Sequence, residues 1–425
     1  MRKAVVLAIA FGSLWLAPNA FASWCGTGET QTDRPDITTG YQAHAVVVQP
    51  SDAPDNFAAD ANRMADDVTS VSNWWLGQDA TRVPRFDLAS YPAGTCLDVS
   101  YVRLPNPGGS YVGASATFGS ILRTLADNLG LSNQFKDYVV YYDGPAPEAG
   151  VCGIGSGQFN DNGDAVIFLA GCTDVPSDGI LAHEYLHSLG ALPNGAPHFC
   201  TPQTDPAQVT DTGHPCDSTT DVLFPYADTT PLAQKALDYN HDDYYAHSGS
   251  WDDMQDSFYL HHTNAPVVPL AVNISGTGHV LSDLPGVDCT VTCTTQWDQG
   301  SNVVLSPAST NNSRFVHWSG SCTGEGTCVL QLNAATAATA TFGPLTIPFK
   351  ESVTGKGTIG CTPGPCKHVL VAGNRLTLHA TAAKGWKFLR WTGGCTGTSV
   401  ICKPKTDFAL AVHASFKRLP ATKKR

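Results

Sequence analysis

Trp318 and Cys322 recur as Trp391 and Cys395, 73 residues further along, and the letters around them recur too. FVHWSGSCTGEGTC at Phe315–Cys328 matches FLRWTGGCTGTSVIC at Phe388–Cys402, and GSNVVL at Gly300–Leu305 matches GNRLTL at Gly373–Leu378. GTGHV at Gly276–Val280 likewise matches GKGTI at Gly355–Ile359. A chain that repeats itself at a fixed offset builds the same small unit twice. Helical periodicity stops near Pro266, and Phe408, Leu410, Val412, Ala414 and Phe416 alternate as in a half-buried strand. Two all-β modules are therefore expected, at 268–343 and 345–418. Modules of this size bury little core and need staples. Each carries four cysteines, which allow three pairings. The local pairs are expected, 289–293 with 322–328 and 361–366 with 395–402.

The same reasoning places the chain outside the cytoplasm. Arg2 and Lys3 precede an apolar run from Ala4 to Leu16, and Ala20-Phe21-Ala22 follows as a cleavage pattern. Residues 1–22 read as a secretory signal peptide, too short to span a bilayer. No later run is long and apolar enough to span. The 14 cysteines are even in number, and none forms C-x-x-C, so disulfides are favoured over thiol chemistry. Cys200 and Cys216 are expected to clamp one loop. The expected location is secreted or extracellular, with the periplasm or cell surface included.

Charge divides the chain again. Residues 23–344 hold 9 Lys and Arg against 35 Asp and Glu; residues 345–425 hold 14 against 2. An acidic body is followed by a basic module whose expected partner is an anionic cell-surface polymer. No nucleic-acid module, phosphate-binding glycine loop or G-x-S-x-G elbow occurs, and no nucleic-acid partner is expected.

Residues 23–264 read as an α/β (α+β) domain. AHAVVVQP, Tyr138–Tyr142 and Ala165–Ala170 look like buried strands, with further strands at Arg85–Leu88 and Leu97–Leu104. Asp52–Asp79 and Ala116–Leu129 show apolar residues at three- and four-residue spacing, the mark of helices. A third helix is expected from Ser177 or Asp178 to Leu189.

That third helix carries HEYLH. His183 and His187 lie one turn apart, about 6 Å along the axis, on one face. Two ring nitrogens so placed can reach one zinc ion at about 2.0–2.1 Å. Glu184 stands beside the first histidine, able to take a proton from water without ligating the metal. The chain has only five glutamates, and after Glu184 only Glu325 and Glu351 remain, both in the repeats. A third ligand from a downstream glutamate is thereby excluded unless a repeat folds into the site, leaving His or Asp. Gly190 allows a left-handed exit from the helix that swings such a ligand back. His198 follows closely and is the first choice; His214 is the alternative, and Asp205, Asp211 or Asp217 come after. Tyr226 is a candidate to stabilise an oxyanion, with a packed core role the more expected. LDYNHDDYYAHSGSWDD is oxygen-rich, so calcium enters as a lesser expectation.

HEYLHSLG resembles the start of the metzincin motif HExxHxxGxxH. HEYLHSLGALPNGAPH with TGHPCDSTTDVLFPY is similar, more closely, to a group of secreted, largely actinobacterial zinc-protease-like proteins. WWLGQDATRVPRFD, KDYVVYYDG and LDYNHDDYY look like that group too, so the resemblance covers roughly residues 40–262. It implies a zincin/metzincin-like catalytic domain, Zn2+ as cofactor and a protein or peptide substrate. The chain departs from the metzincin pattern at Pro193, which stands where the third histidine is expected, and at Leu223, which stands for the turn methionine. The repeats resemble disulfide-containing β-repeats of secreted and surface bacterial proteins. The expectation is a secreted zinc endopeptidase with Glu184 as general base; the alternative is a non-catalytic adhesin with a structural or degenerate zinc domain.

Overall fold

The computed structural model describes residues 24–26, 28, 30–129, 131–191, 195–201, 213–310 and 312–420. The expected signal peptide, Pro193, Asp205 and Asp211 lie outside the described residues. The chain forms two compact units, the first comprising the residues up to Val267 together with Leu284–Gly286 and the second residues 268–283 and 287–425.

The first unit is organised by a five-stranded sheet. Its strands are β1 (Gln42–Gln49), β2 (Val99–Arg103), β3 (Lys136–Tyr142), β4 (Gly153–Ser156) and β5 (Asp164–Phe168), in the order β2-β1-β3-β5-β4. The first four in that order run parallel; β4, at the edge, is antiparallel to β5. Strands covered on both faces read as continuous apolar runs, as in AHAVVVQ. Ala43, Ala45 and Val47 enter one core cluster, Val46 and Val48 the other.

Helices α1 (Phe57–Gln78) and α3 (Ser177–Ser188) supply the first cluster, and α2 (Ala114–Leu129) the second. Along α1 the buried positions Phe57, Ala61, Met64, Val68, Val71 and Trp75 follow the helical period. Helix α3 is buried on several sides, by Ile180, Leu181, Tyr185 and Leu186 among others, because the sheet and α1 both pack on it. Gly190, at φ +88°, ends it: Ala191 N–H donates to Leu186 O at 2.9 Å and Gly190 N–H to His187 O at 3.1 Å. This pairing closes a helix through a left-handed residue. Gly190 is doubly required, since a Cβ there would also stand 2.6 Å from Phe159 N.

Taken whole, the described chain is mostly β, with three α-helices that all fall in the first unit, and the C-terminal repeats are all β as expected. Past Gly190 the described residues of the first unit form short 3-10 turns and one short strand, Leu260–His262. The expected strand at Arg85–Leu88 is replaced by Arg82–Pro84, paired with that strand, and a hairpin of Leu88–Tyr91 with Gly94–Leu97.

The second unit contains the repeated β structure. In the first module β6 (Val267–Ser275), β7 (Ser313–Gly320) and β8 (Thr336–Pro344) pair as β6-β8-β7; in the second, β9 (Thr346–Thr354), β10 (Trp386–Gly393) and β11 (Leu410–Arg418) pair as β9-β11-β10. Both carry a β-bulge at the same place, Phe315/His317 and Phe388/Arg390. Trp318 and Trp391 each hydrogen-bond a carbonyl eight residues on, at 2.8 and 2.9 Å. The cysteines pair locally, Cys289–Cys293, Cys322–Cys328, Cys361–Cys366 and Cys395–Cys402.

Candidate metal centre

Three imidazoles converge beside α3. His214 Nε2 lies 3.1 Å from His183 Nε2 and 3.2 Å from His187 Nε2. His183 Nδ1–H donates to Val222 O at 2.8 Å, so in its neutral form Nε2 carries the lone pair that faces the other rings. Burial holds the His187 ring well below its usual protonation range, and the neighbouring His183 and His214 act in the same sense. Two nitrogens each about 2.0–2.1 Å from a tetrahedral ion stand about 3.3–3.4 Å apart. The donor set and its spacing thus fit a three-histidine metal with an open fourth position.

His214 arrives through a disulfide-closed loop. Cys200 N–H donates to His214 O and Cys216 N–H to His198 O, each at 2.9 Å, across the bridge Phe199–Pro215. Cys200–Cys216 seals this pairing. His198, the first choice from the sequence, is not brought to the other two histidines: it lies in a separate group with Asp217, Asp242 and Asp243. Asp243 accepts both the His198 backbone N–H at 2.9 Å and its Nδ1 at 3.2 Å. Asp217, the aspartate alternative within the described residues, sits in that group too. The oxygen-rich LDYNHDD loop is built by its own hydrogen bonds, with Asp238 accepting the backbone N–H of Tyr244 and Tyr245 at 2.8 and 2.6 Å.

Leu223 is fully buried in the cluster that holds Leu181, Leu186 and Leu189. Its backbone turn is fixed by Asp221, which accepts Leu223 N–H at 2.7 Å and Tyr244 O–H at 2.8 Å. The turn aims the Val222 carbonyl at His183.

Glu184 is buried to 7 % exposure and, with His183 and His214, lines a cleft of about 570 Å³. Gly150, Val151 and Gly153 line it too, as do Phe224–Asp228 and Lys235. Tyr226 stands 41 % exposed in that lining, not packed in the core as the sequence reading favoured. Lys235 Nζ reaches Asp228 Oδ2 at 3.0 Å.

The alternating glycines of GIGSG, which sequence reasoning passed over, explain how β4 approaches α3. A Cβ at Gly153 would stand 2.6 Å from Glu184 Cγ; one at Gly155 would stand 2.6 Å from His187 Cβ and would also collide with Glu184 O. Gly157 and Gly163 meet the Ser188 backbone in the same way. Side chains of one strand face alternate by two, so glycine at every second position marks close backbone approach. That spacing was the available signal.

Residues 281–345 and 351–420 match the divergent InlB B-repeat domain. No curated protein matches the chain. Among solved structures, wild-type OgpA from Akkermansia muciniphila is similar at 12 % identity and TM-score 0.26, covering 86 % of this chain and 94 % of that one. A catalytically inactive OgpA in complex with an O-glycopeptide (glycodrosocin) substrate is similar at 11 % identity and TM-score 0.26, over 77 % of this chain and 87 % of that one. The major pilin protein T-13 of Streptococcus pyogenes is similar at 10 % identity and TM-score 0.17, over 36 % and 97 %. Likeness at this level defines neither fold nor chemistry for the chain.

Proposed function

We propose that the first unit is a zinc-dependent, metzincin-like endopeptidase domain, carried outside the cell with the repeats. The observation that supports this most is the convergence of His183, His187 and His214 within ligand reach of one another, with Glu184 on the wall of the same cleft. Zinc, when bound, supplies Lewis acidity and lowers the pKa of water to about 7. Glu184 accepts the proton of the attacking water and returns it to the leaving amine. Gly153 and Gly155 keep β4 close enough to hold the Glu184 side chain and its backbone in place. The edge strand β4 borders the cleft, and an exposed edge is where an extended peptide adds backbone hydrogen bonds. In this reading Tyr226, which lines the same cleft, meets that peptide.

Seven disulfides, no free cysteine among the described residues, and repeats matching a divergent InlB B-repeat fit an extracellular or cell-surface protein. No described helix is long and apolar enough to cross a membrane. The repeat match also favours a second reading, a surface-binding protein whose histidine site is structural.

Purified protein separates the two readings. An endopeptidase cleaves casein or gelatin, stops with a chelator, and stops on Glu184→Ala while zinc by elemental analysis stays at the wild-type level. Retained zinc without cleavage of any protein supplied supports the surface-binding reading.

A further inference from the structure

Strand pairing makes the two modules comparable position by position, and one sheet face differs between them. In the second module Lys350 pairs with Ala411, Ser352 with His413 and Thr354 with Ser415; on the other side Lys387 pairs with Lys417, Arg390 with Ser415 and Thr392 with His413. Residues two apart on a strand share a face. Lys350, Lys387, Arg390 and Lys417 are all exposed, and the strand neighbours Phe349, Trp391 and Phe416 are buried. The four cations therefore stand together on the outer face of β9-β11-β10. His413 joins them, its ring nitrogens 2.8 Å from Ser352 Oγ and 3.0 Å from Thr354 Oγ1.

In the first module the same register positions hold Ala271 for Lys350, Gly343 for Lys417, His317 for Arg390 and Thr339 for His413; only Arg314 keeps the charge of Lys387. The buried side is unchanged, with Phe315, Trp318 and Phe342 matching Phe388, Trp391 and Phe416 in ring spacing. The fold is thus retained while one face is made cationic. The two acidic residues of the second module do not offset it. Glu351 alternates to the other side of β9, and Asp407 lies outside the three strands.

We propose that this face of β9-β11-β10 binds a linear anionic polysaccharide. The stripe from Lys417 to Lys350 spans six residues of β11, roughly 20 Å at the strand rise, the scale of several sugar units. Cations alternate with Ser352, Thr354, Thr392 and Ser415, so carboxylate or sulfate groups meet ammonium and guanidinium while sugar hydroxyls meet hydroxyls. Single-stranded nucleic acid is disfavoured, because such sites stack bases on outward aromatic rings. Trp386, Phe388 and Trp391 instead pack into the module core.

The test uses the full chain and immobilised heparin as probe, with a single-stranded DNA and phosphatidylserine vesicles as competitors. Wild type binds heparin with an affinity that falls steeply between low and physiological salt. K350A/K387A/R390A/K417A weakens binding on the order of tenfold or more, with an unchanged thermal melt. R314A/H317A in the first module and K403A/K405A off the face leave it within about twofold. Glu184→Ala also leaves it unchanged, which separates this inference from the peptidase reading. Heparin binding equal to wild type in the quadruple variant overturns the proposal. So does tighter binding of the DNA or the vesicles than of heparin. If the quadruple variant melts early, K350Q/K387Q and R390Q/K417Q replace it, and either pair must weaken binding.

Discussion

Asp243 holds His198 by backbone and ring together, Oδ1 taking the amide and Oδ2 the imidazole. Asp243 is fully buried, and His198 is thereby directed away from the HEYLH pair. His198→Ala is expected to leave zinc stoichiometry unchanged. His214→Ala is expected to lose the metal, or at least to weaken it by more than tenfold, as removal of one of three ligands requires. Equilibrium dialysis with elemental analysis on both variants decides. Metal loss in His198→Ala with retention in His214→Ala reverses the assignment.

The contest between those histidines shows where a sequence stops being informative. Both follow the helix, both lie near cysteines, and no local period distinguishes them. The choice is made by Asp243, 45 residues from His198 in the chain. The strands and helices around the site were readable because burial leaves a mark, a continuous apolar run in β1 and a period of 3.6 in α1. The stretch after Gly190 has no such period: it is shaped by Cys200–Cys216 and by Asp221 and Asp238 accepting backbone N–H groups. The repeats were readable because their apolar positions are the same in both copies.

Cys200–Cys216 closes a loop whose ends are 16 residues apart, and His214 hangs on it. Replacing both cysteines by serine is expected to cost about 3 kcal/mol on the loop-entropy account. Zinc affinity should fall with it, because His214 loses its fixed approach while His183 and His187 keep theirs. Metal competition against a chromophoric chelator reads the affinity, and urea unfolding the stability. Unchanged zinc affinity in a folded C200S/C216S protein contradicts this account.

The glycines of β4 make a sharper steric prediction. Gly155→Ala pushes a methyl into the backbone of Glu184 and the Cβ of His187, where nothing flexible can yield. Overpacking of this kind costs about 1–3 kcal/mol. At Gly153 two of the three nearest atoms belong to the Glu184 side chain and the third is the Val166 carbonyl oxygen at 2.8 Å, so Gly153→Ala should cost less stability than Gly155→Ala while displacing the Glu184 carboxyl directly. Urea midpoints and casein hydrolysis of the two variants should therefore rank oppositely.

Asp60, in the first turn of α1, is pushed up to about 7, first by burial and then by the neighbouring Asp143 charge. A carboxyl whose folded value lies above its unfolded value of 3.8 binds its proton more tightly when folded. Its contribution to stability is complete below the unfolded value and declines as pH rises toward 7. Asp60→Asn should therefore melt higher than wild type at pH 8 and close to it at pH 4. The difference is on the order of 1 kcal/mol once solvent screening is allowed for. Thermal melts at the two pH values test the sign, and a variant that gains stability at pH 4 instead refutes it.

Trp391 and Trp318 are the matched centres of the two modules, 2 % exposed each, with indole N–H groups bonded to Ser399 O and Gly326 O. Truncating a buried tryptophan costs about 3–5 kcal/mol, a large share of what a disulfide-stapled module of this size has to lose. Trp391→Ala should unfold the second module and abolish heparin binding while zinc content stays at the wild-type level. Trp391→Phe keeps an aromatic ring beside Phe388 but loses the bond to Ser399 O and the volume of the second indole ring, so it should cost about 2 kcal/mol, less than the alanine, and retain binding. Trp318→Ala should lower the calorimetric transition of the first module alone. Heparin binding that survives Trp391→Ala but fails in Trp318→Ala would move the polysaccharide site to the wrong module.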